Sequence, residues 1–144
     1  MTTLTQPLQD HHKHCDELFA VAEERAHAED WPGCAEAFAA FGGELEAHFG
    51  AEEQVLFTAL EAATGTAAGP TQVMRSEHAQ MRELLKQMAA ALQQRDRQAF
   101  AGTAETLLIL MEQHNMKEEH ILYPICNNSL DSSLDMTQAL CARA

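Results

Sequence analysis

Four stretches of the chain carry positions that alternate in steps of four and three residues. The first runs through Leu8, His12, Cys15, Phe19, Ala22 and Ala26, the second through Phe38, Phe41, Leu45, His48, Glu52, Val55 and Ala59. The third runs through Met74, His78, Met81, Leu85, Met88 and Leu92, the fourth through Ala104, Leu107, Met111, His114, Glu118, Ile121 and Ile125. Such a stripe is what a bundle helix turns toward its neighbours. The surrounding residues are mostly Ala, Leu, Glu, Gln and Met, good helix formers, and β-branched residues are few. Breaks fall at Asp30-Trp31-Pro32-Gly33, at residues 64–70 and at Arg95-Asp96-Arg97, with Pro124 closing the fourth stretch. The pattern predicts helices over about 7–29, 32–62, 71–94 and 97–124, with Asp30 and Asp96 as N-caps and Pro70 opening the third. Four stripes with short connections predict an all-α, antiparallel up-down-up-down four-helix bundle.

The chain also aligns with itself, ungapped, at an offset of 66 residues. His12 falls on His78, Asp30 on Asp96, His48 on His114, Glu52-Glu53 on Glu118-Glu119 and Leu56 on Leu122. The second helical hairpin therefore repeats the first, and the bundle has an internal two-fold.

Six polar residues interrupt the stripes: His12, His48, Glu52, His78, His114 and Glu118. His12 and His48 each lie 18 residues from Asp30, and His78 and His114 each lie 18 from Asp96. At the rise of an α-helix all four histidines stand roughly 27 Å from the turn end, in one layer, with the glutamates about 6 Å further along the same faces. Burying that layer unpaired costs several kcal/mol. Two divalent or trivalent ions remove the cost: imidazoles supply nitrogen, and the two carboxylates bridge the ions and offset their charge. An open position beside such a ligand set favours iron or manganese over structural zinc. A metal-free polar network is the competing reading. Six polar residues in one layer, duplicated at a fixed offset, count against it.

Composition narrows the partners. With 144 residues the chain suits one domain: residues 1–126 as the bundle, residues 127–144 as a C-terminal tail whose apolar patch at Leu130, Leu134 and Leu140 allows a short helix. The net charge of −13 argues against nucleic acid and against an anionic membrane surface. No apolar run is long enough to span a bilayer, and the first residues lack a signal-peptide pattern. The four cysteines, Cys15, Cys34, Cys126 and Cys141, include no C-x-x-C pair. Together these features predict a cytoplasmic protein with reduced thiols.

The other histidines fit the layer less well. His11, His14, His27 and His120 lie off the stripes, with His11 and His14 standing as alternatives to His12. Glu53 and Glu119 fall one position off and read as solvated glutamates, holding a ligand imidazole being the sharper alternative. Glu119 also stands as an alternative to Glu118.

The segments His48-Phe49-Gly50-Ala51-Glu52-Glu53 and His114-Asn115-Met116-Lys117-Glu118-Glu119, with Asp10-His11-His12 and Glu77-His78, resemble the ligand segments of the hemerythrin-like (HHE cation-binding) family. The resemblance covers about residues 8–125. It implies a di-iron site, two Fe ions with an oxo or hydroxo bridge, that binds or senses O₂, NO or a related small oxidant. The O₂-carrying members use a fifth histidine where this chain has Met74, and an aspartate five residues beyond the fourth-helix histidine. Four histidines and two glutamates are more similar to the di-iron proteins called repair of iron centres, which respond to nitrosative and oxidative stress. That likeness implies an alternative: a redox enzyme for NO or peroxide, or an iron donor for iron–sulfur cluster repair. Ferritin-like bundles use Glu-x-x-His, which occurs here only off the stripe, at Glu24-Arg25-Ala26-His27.

Overall fold

The computed structural model describes residues 3–141; residues 1–2 and 142–144, at the ends of the expected bundle and tail, lie outside the described residues. Among the described residues seven α-helical segments follow one another: α1 (Gln6–His27), α2 (Trp31–Ala51), α3 (Phe57–Thr64), α4 (Pro70–Gln93), α5 (Arg97–Lys117), α6 (Tyr123–Ser129) and α7 (Met136–Cys141). A π-helical turn, π1 (Glu52–Leu56), joins α2 to α3 without a break, and a second, π2 (Glu118–Leu122), joins α5 to α6. The long helices form a helical bundle: α1 packs on α2 and α5, and α4 packs on α5 and α2.

The ends of these helices follow from local chemistry. Asp30 accepts a hydrogen bond from the Gly33 amide at 3.1 Å and Asp96 from the Ala99 amide at 3.0 Å, each occupying one of the amides a helix start leaves unpaired. A residue in the left-handed region precedes each cap, Glu29 at φ 59° and Arg95 at φ 53°. The Asp30 amide donates to the Arg25 carbonyl and the Asp96 amide to the Ala91 carbonyl, both at 2.9 Å, so the two turns are built alike. α3 ends on Gly65 at φ 75°, a conformation glycine adopts without steric penalty.

Apolar side chains form two clusters. One, nearer the hairpin turns, is built on Phe19, Phe41, Phe100, Leu107 and Met88. The other, at the opposite end, is built on Leu8, Leu56, Phe57, Leu122 and Met136. The tail folds back here: α7 packs on α1, α2 and π1, burying Met136. Thr5 ties the chain start to the same end, its amide and hydroxyl donating to Asn127 Oδ1 at 3.2 and 3.1 Å.

Two expectations change. The fourth helical stretch continues past Pro124 to Ser129, because Pro124 falls in the first turn after π2, where a missing amide costs little. The buried stripe also moves by one residue beyond each glutamate. Ile121 and Ile125 are 55% and 36% exposed, while Leu122 and Cys126 are buried. In the second stretch burial likewise passes from Val55 and Ala59 to Leu56 and Leu60. The cause is the π turn: Phe57 donates to the Glu52 carbonyl and Tyr123 to the Glu118 carbonyl, each five residues back. One extra residue per turn advances the buried face by one position.

Candidate metal centre

The six residues singled out in the sequence lie side by side between the two apolar clusters. His12, His48, Glu52, His78, His114 and Glu118 are all buried. The His12 and His48 rings are 4.7 Å apart and the His78 and His114 rings 4.9 Å apart. Their donor atoms fall into two groups, each compact enough to hold one ion: Glu52, His78, His114 and Glu118 in one, His12, His48 and Glu118 in the other. Glu118 belongs to both. Glu52 faces both as well, with Oε1 3.0 Å from His78 Nε2 and Oε2 3.4 Å from His48 Nε2.

Each imidazole is gripped from behind. Consecutive glutamates reach opposite nitrogens of one ring: Glu52 stands at His78 Nε2 and Glu53 at His78 Nδ1, 2.8 Å away. Glu118 and Glu119 do the same to His12, at 3.0 Å from Nε2 and 2.7 Å from Nδ1. In both cases the glutamates and the histidine stand on different helical segments. His114 Nδ1 bonds Glu77 at 2.8 Å, and His48 Nδ1 lies 2.9 Å from His11 Nδ1, whose Nε2 reaches Glu44 at 3.0 Å. A proton on each Nδ1 satisfies these contacts and leaves every Nε2 lone pair facing inward, the tautomer a metal ligand needs. His11 then accepts from His48 and donates to Glu44; burial lowers its pKa and keeps it neutral for that role.

Cations anchor the outer carboxylates. Arg82 holds both oxygens of Glu53 at 2.9 Å and also Glu46, and Lys117 pairs with Glu77. Burial opposes the charge on Glu53, but hydrogen bonds from His78 and Arg82 outweigh it and hold its pKa at about 2. Burial likewise opposes protonation of His48 and His114, yet the inner carboxylates push them up to about 10 and about 9. Glu118, despite complete burial, is held well below the usual range by the surrounding hydrogen bonds. Without a cation the cluster draws in protons instead.

The remaining sequence candidates separate clearly. His11 is not in either donor group but stands behind His48, and His14 is half exposed, 3.9 Å from Glu44. His27 is exposed against Arg97, and His120 is exposed. Glu53 and Glu119, read as solvated, hold imidazoles instead, because the π turns bring two successive glutamates to one ring. Sequence reasoning missed Glu44, Glu77, Arg82, Lys117 and Tyr123. Glu77 was recoverable, since the 66-residue offset places it opposite His11. Tyr123 donates its hydroxyl toward Glu52 Oε2 at 2.7 Å and Glu118 Oε1 at 3.0 Å, and this pairing leaves no sequence signal.

The donor set suits a cation by an internal criterion. Glu52 Oε1, His78 Nε2, His114 Nε2 and Glu118 Oε2 are buried without a hydrogen-bond partner. His78 Nε2 is 3.0 Å from Glu52 Oε1 and His114 Nε2 3.2 Å from Glu118 Oε2, so these atoms are near in distance but off hydrogen-bond direction. Four such atoms on one side of a buried layer are costly unless they share an ion. Nitrogen and carboxylate oxygen together suit iron, manganese or zinc.

No curated protein and no solved structure matches the chain. The profile of one protein family, described as the hemerythrin HHE cation binding domain, matches residues 3–126. That span contains every donor of the buried layer, and the chain belongs to the hemerythrin HHE cation-binding family.

Proposed function

We propose that this chain is a non-haem di-iron protein that binds or senses O₂, NO or a related small oxidant. His12 and His48 would hold one iron, His78 and His114 the other, and Glu52 and Glu118 would bridge them. The observation that carries the reading is the set of four buried, unpartnered donor atoms on Glu52, His78, His114 and Glu118. When bound, two irons supply an exchangeable coordination position and electrons for a diatomic ligand. The chain's own part is to keep the layer dry between two apolar clusters, to present four Nε2 atoms, and to fix each ring from behind with Glu53, Glu77, Glu119 and His11.

The same reading makes the bundle a duplicated hairpin running up-down-up-down. The like-built turns at Glu29-Asp30 and Arg95-Asp96, and the matched glutamate pairs that cross between hairpins, support it.

Iron content and the visible spectrum of protein purified in air test the function. Two irons per chain and a spectrum that changes on adding O₂ or NO to the reduced protein are expected. A chain that takes up no iron after anaerobic incubation with Fe(II) would overturn the proposal. Steady consumption of NO or peroxide would move the protein to the enzyme reading.

A further inference from the structure

Tyr123 is buried at the edge of the donor layer, and the ligand set above makes no use of it. Its hydroxyl oxygen lies 2.7 Å from Glu52 Oε2, 3.0 Å from Glu118 Oε1, and 3.4 Å from Nε2 of both His12 and His48. Three separations among those four atoms are of the same order. His12 Nε2 is 3.0 Å from Glu118 Oε1, and His48 Nε2 is 3.4 Å from Glu52 Oε2 and 3.8 Å from Glu118 Oε1. Around one ion with bonds of about 2.1 Å, adjacent octahedral donors stand about 3 Å apart. The tyrosine oxygen therefore stands at about that spacing from all four, and from His12, His48 and Glu118 much as those three stand to one another.

The other half of the layer lacks this group. Sixty-six residues earlier the aligned position is Phe57, also buried, whose ring lies 5.6 Å from that of His78. Phenylalanine offers no donor. The four buried atoms without a hydrogen-bond partner belong to the His78 and His114 side, whereas on the His12 and His48 side an oxygen is already in place.

We infer that Tyr123 is a metal ligand, its phenolate oxygen binding the ion held by His12, His48, Glu52 and Glu118. The ion held by His78 and His114 is then the one with an open position for a small ligand. This rests on the two-ion reading above and adds which ion is open. Once air O₂ has oxidised the bound ferrous ion to ferric, the tyrosine O–H bond would break, the metal–oxygen bond form and the proton leave to solvent; this ligation step itself moves no electron. Iron accepts tyrosinate oxygen as a ligand elsewhere in biology.

The chain contains a single tyrosine, so any tyrosinate signal reports on this residue alone. The test uses the full chain, loaded with Fe(II) without oxygen and then exposed to air. Iron per chain is measured, and resonance Raman spectra are taken in the visible band. The expected result is two irons with tyrosinate ring modes, and a Tyr123→Phe variant that keeps both irons and loses those modes. Two irons without tyrosinate modes in the unaltered chain would overturn the assignment and leave the two-ion site standing. One iron without those modes would mean that the hydroxyl takes the place of a second ion, overturning both. No iron at all would overturn the site and this ligand with it.

Discussion

Glu119 and His12, 107 positions apart in the chain, meet at 2.7 Å between a carboxylate oxygen and Nδ1. Glu119 stands in π2 and His12 on α1. The contact fixes the His12 ring while leaving its Nε2 facing inward, and it ties the two segments together at the level of the donor layer.

Removing that grip should loosen the metal and spare the fold. Glu119→Ala is expected to weaken metal affinity about 10–100-fold, the usual cost of losing a carboxylate behind a ligand imidazole. Circular dichroism should be unchanged, because Glu119 lies on the rim of the layer. A competition titration of the variant beside His120→Ala, an exposed neighbour, checks it. Equal affinities in the two variants would reduce Glu119 to a solvated side chain.

Glu52→Ala removes a carboxylate that faces both donor groups. It should abolish stoichiometric iron binding while keeping the helical spectrum. Iron analysis after gel filtration decides it, and an unchanged iron content would take Glu52 out of the ligand set.

The metal-free chain should lose stability at high pH. Folding raises the pKa of His48 to about 10 and of His114 to about 9, because the inner carboxylates outweigh the burial that opposes their charge. A raised pKa stabilises the fold fully below the unfolded value near 6.5, and the contribution fades as pH climbs through 9 and 10. The melting temperature of chelator-treated protein should therefore fall between pH 7 and pH 10. In iron-loaded protein the ion replaces those protons, so its midpoint should fall less over the same range. Parallel thermal melts in the two states give the comparison.

Thiol labelling should distinguish the cysteines sharply. Cys15, Cys34 and Cys126 are buried, and burial pushes the Cys15 and Cys126 thiols up to about 12. Cys141 is exposed. A thiol reagent at pH 8 should modify Cys141 quickly and the other three only after denaturation. Rapid labelling of more than one thiol in the native chain would contradict the burial of Cys15, Cys34 or Cys126.

Arg95→Gly should stabilise the protein by up to about 1 kcal/mol. Arg95 occupies the left-handed region at φ 53°, where a side chain is strained and glycine is not. Chemical denaturation at fixed pH measures the shift. A loss of stability would show that the Arg95 side chain contributes more than its backbone costs.

The stripe of α1 was legible residue by residue: Leu8, His12, Cys15, Phe19, Ala22 and Ala26 are its buried positions. The caps at Asp30 and Asp96 were legible too, because capping is chemistry between near neighbours in sequence. Beyond Glu52 and Glu118 the reading slipped by one position. A helical period carried along a sequence assumes a constant number of residues per turn, and the π turns break that assumption at the layer itself.

A helical chain, its breaks, and a set of six histidines and glutamates at matched distances from two caps could all be read along the chain. Periodicity and capping depend on near neighbours, so they can be read along the chain. What stands behind each imidazole came from the packing of the helices. Glu53 reaches His78, Glu119 reaches His12 and Tyr123 reaches Glu52 because helices distant in sequence are adjacent in space. Contacts across the bundle carry no period, and they set which nitrogen of each ring faces the interior of the layer.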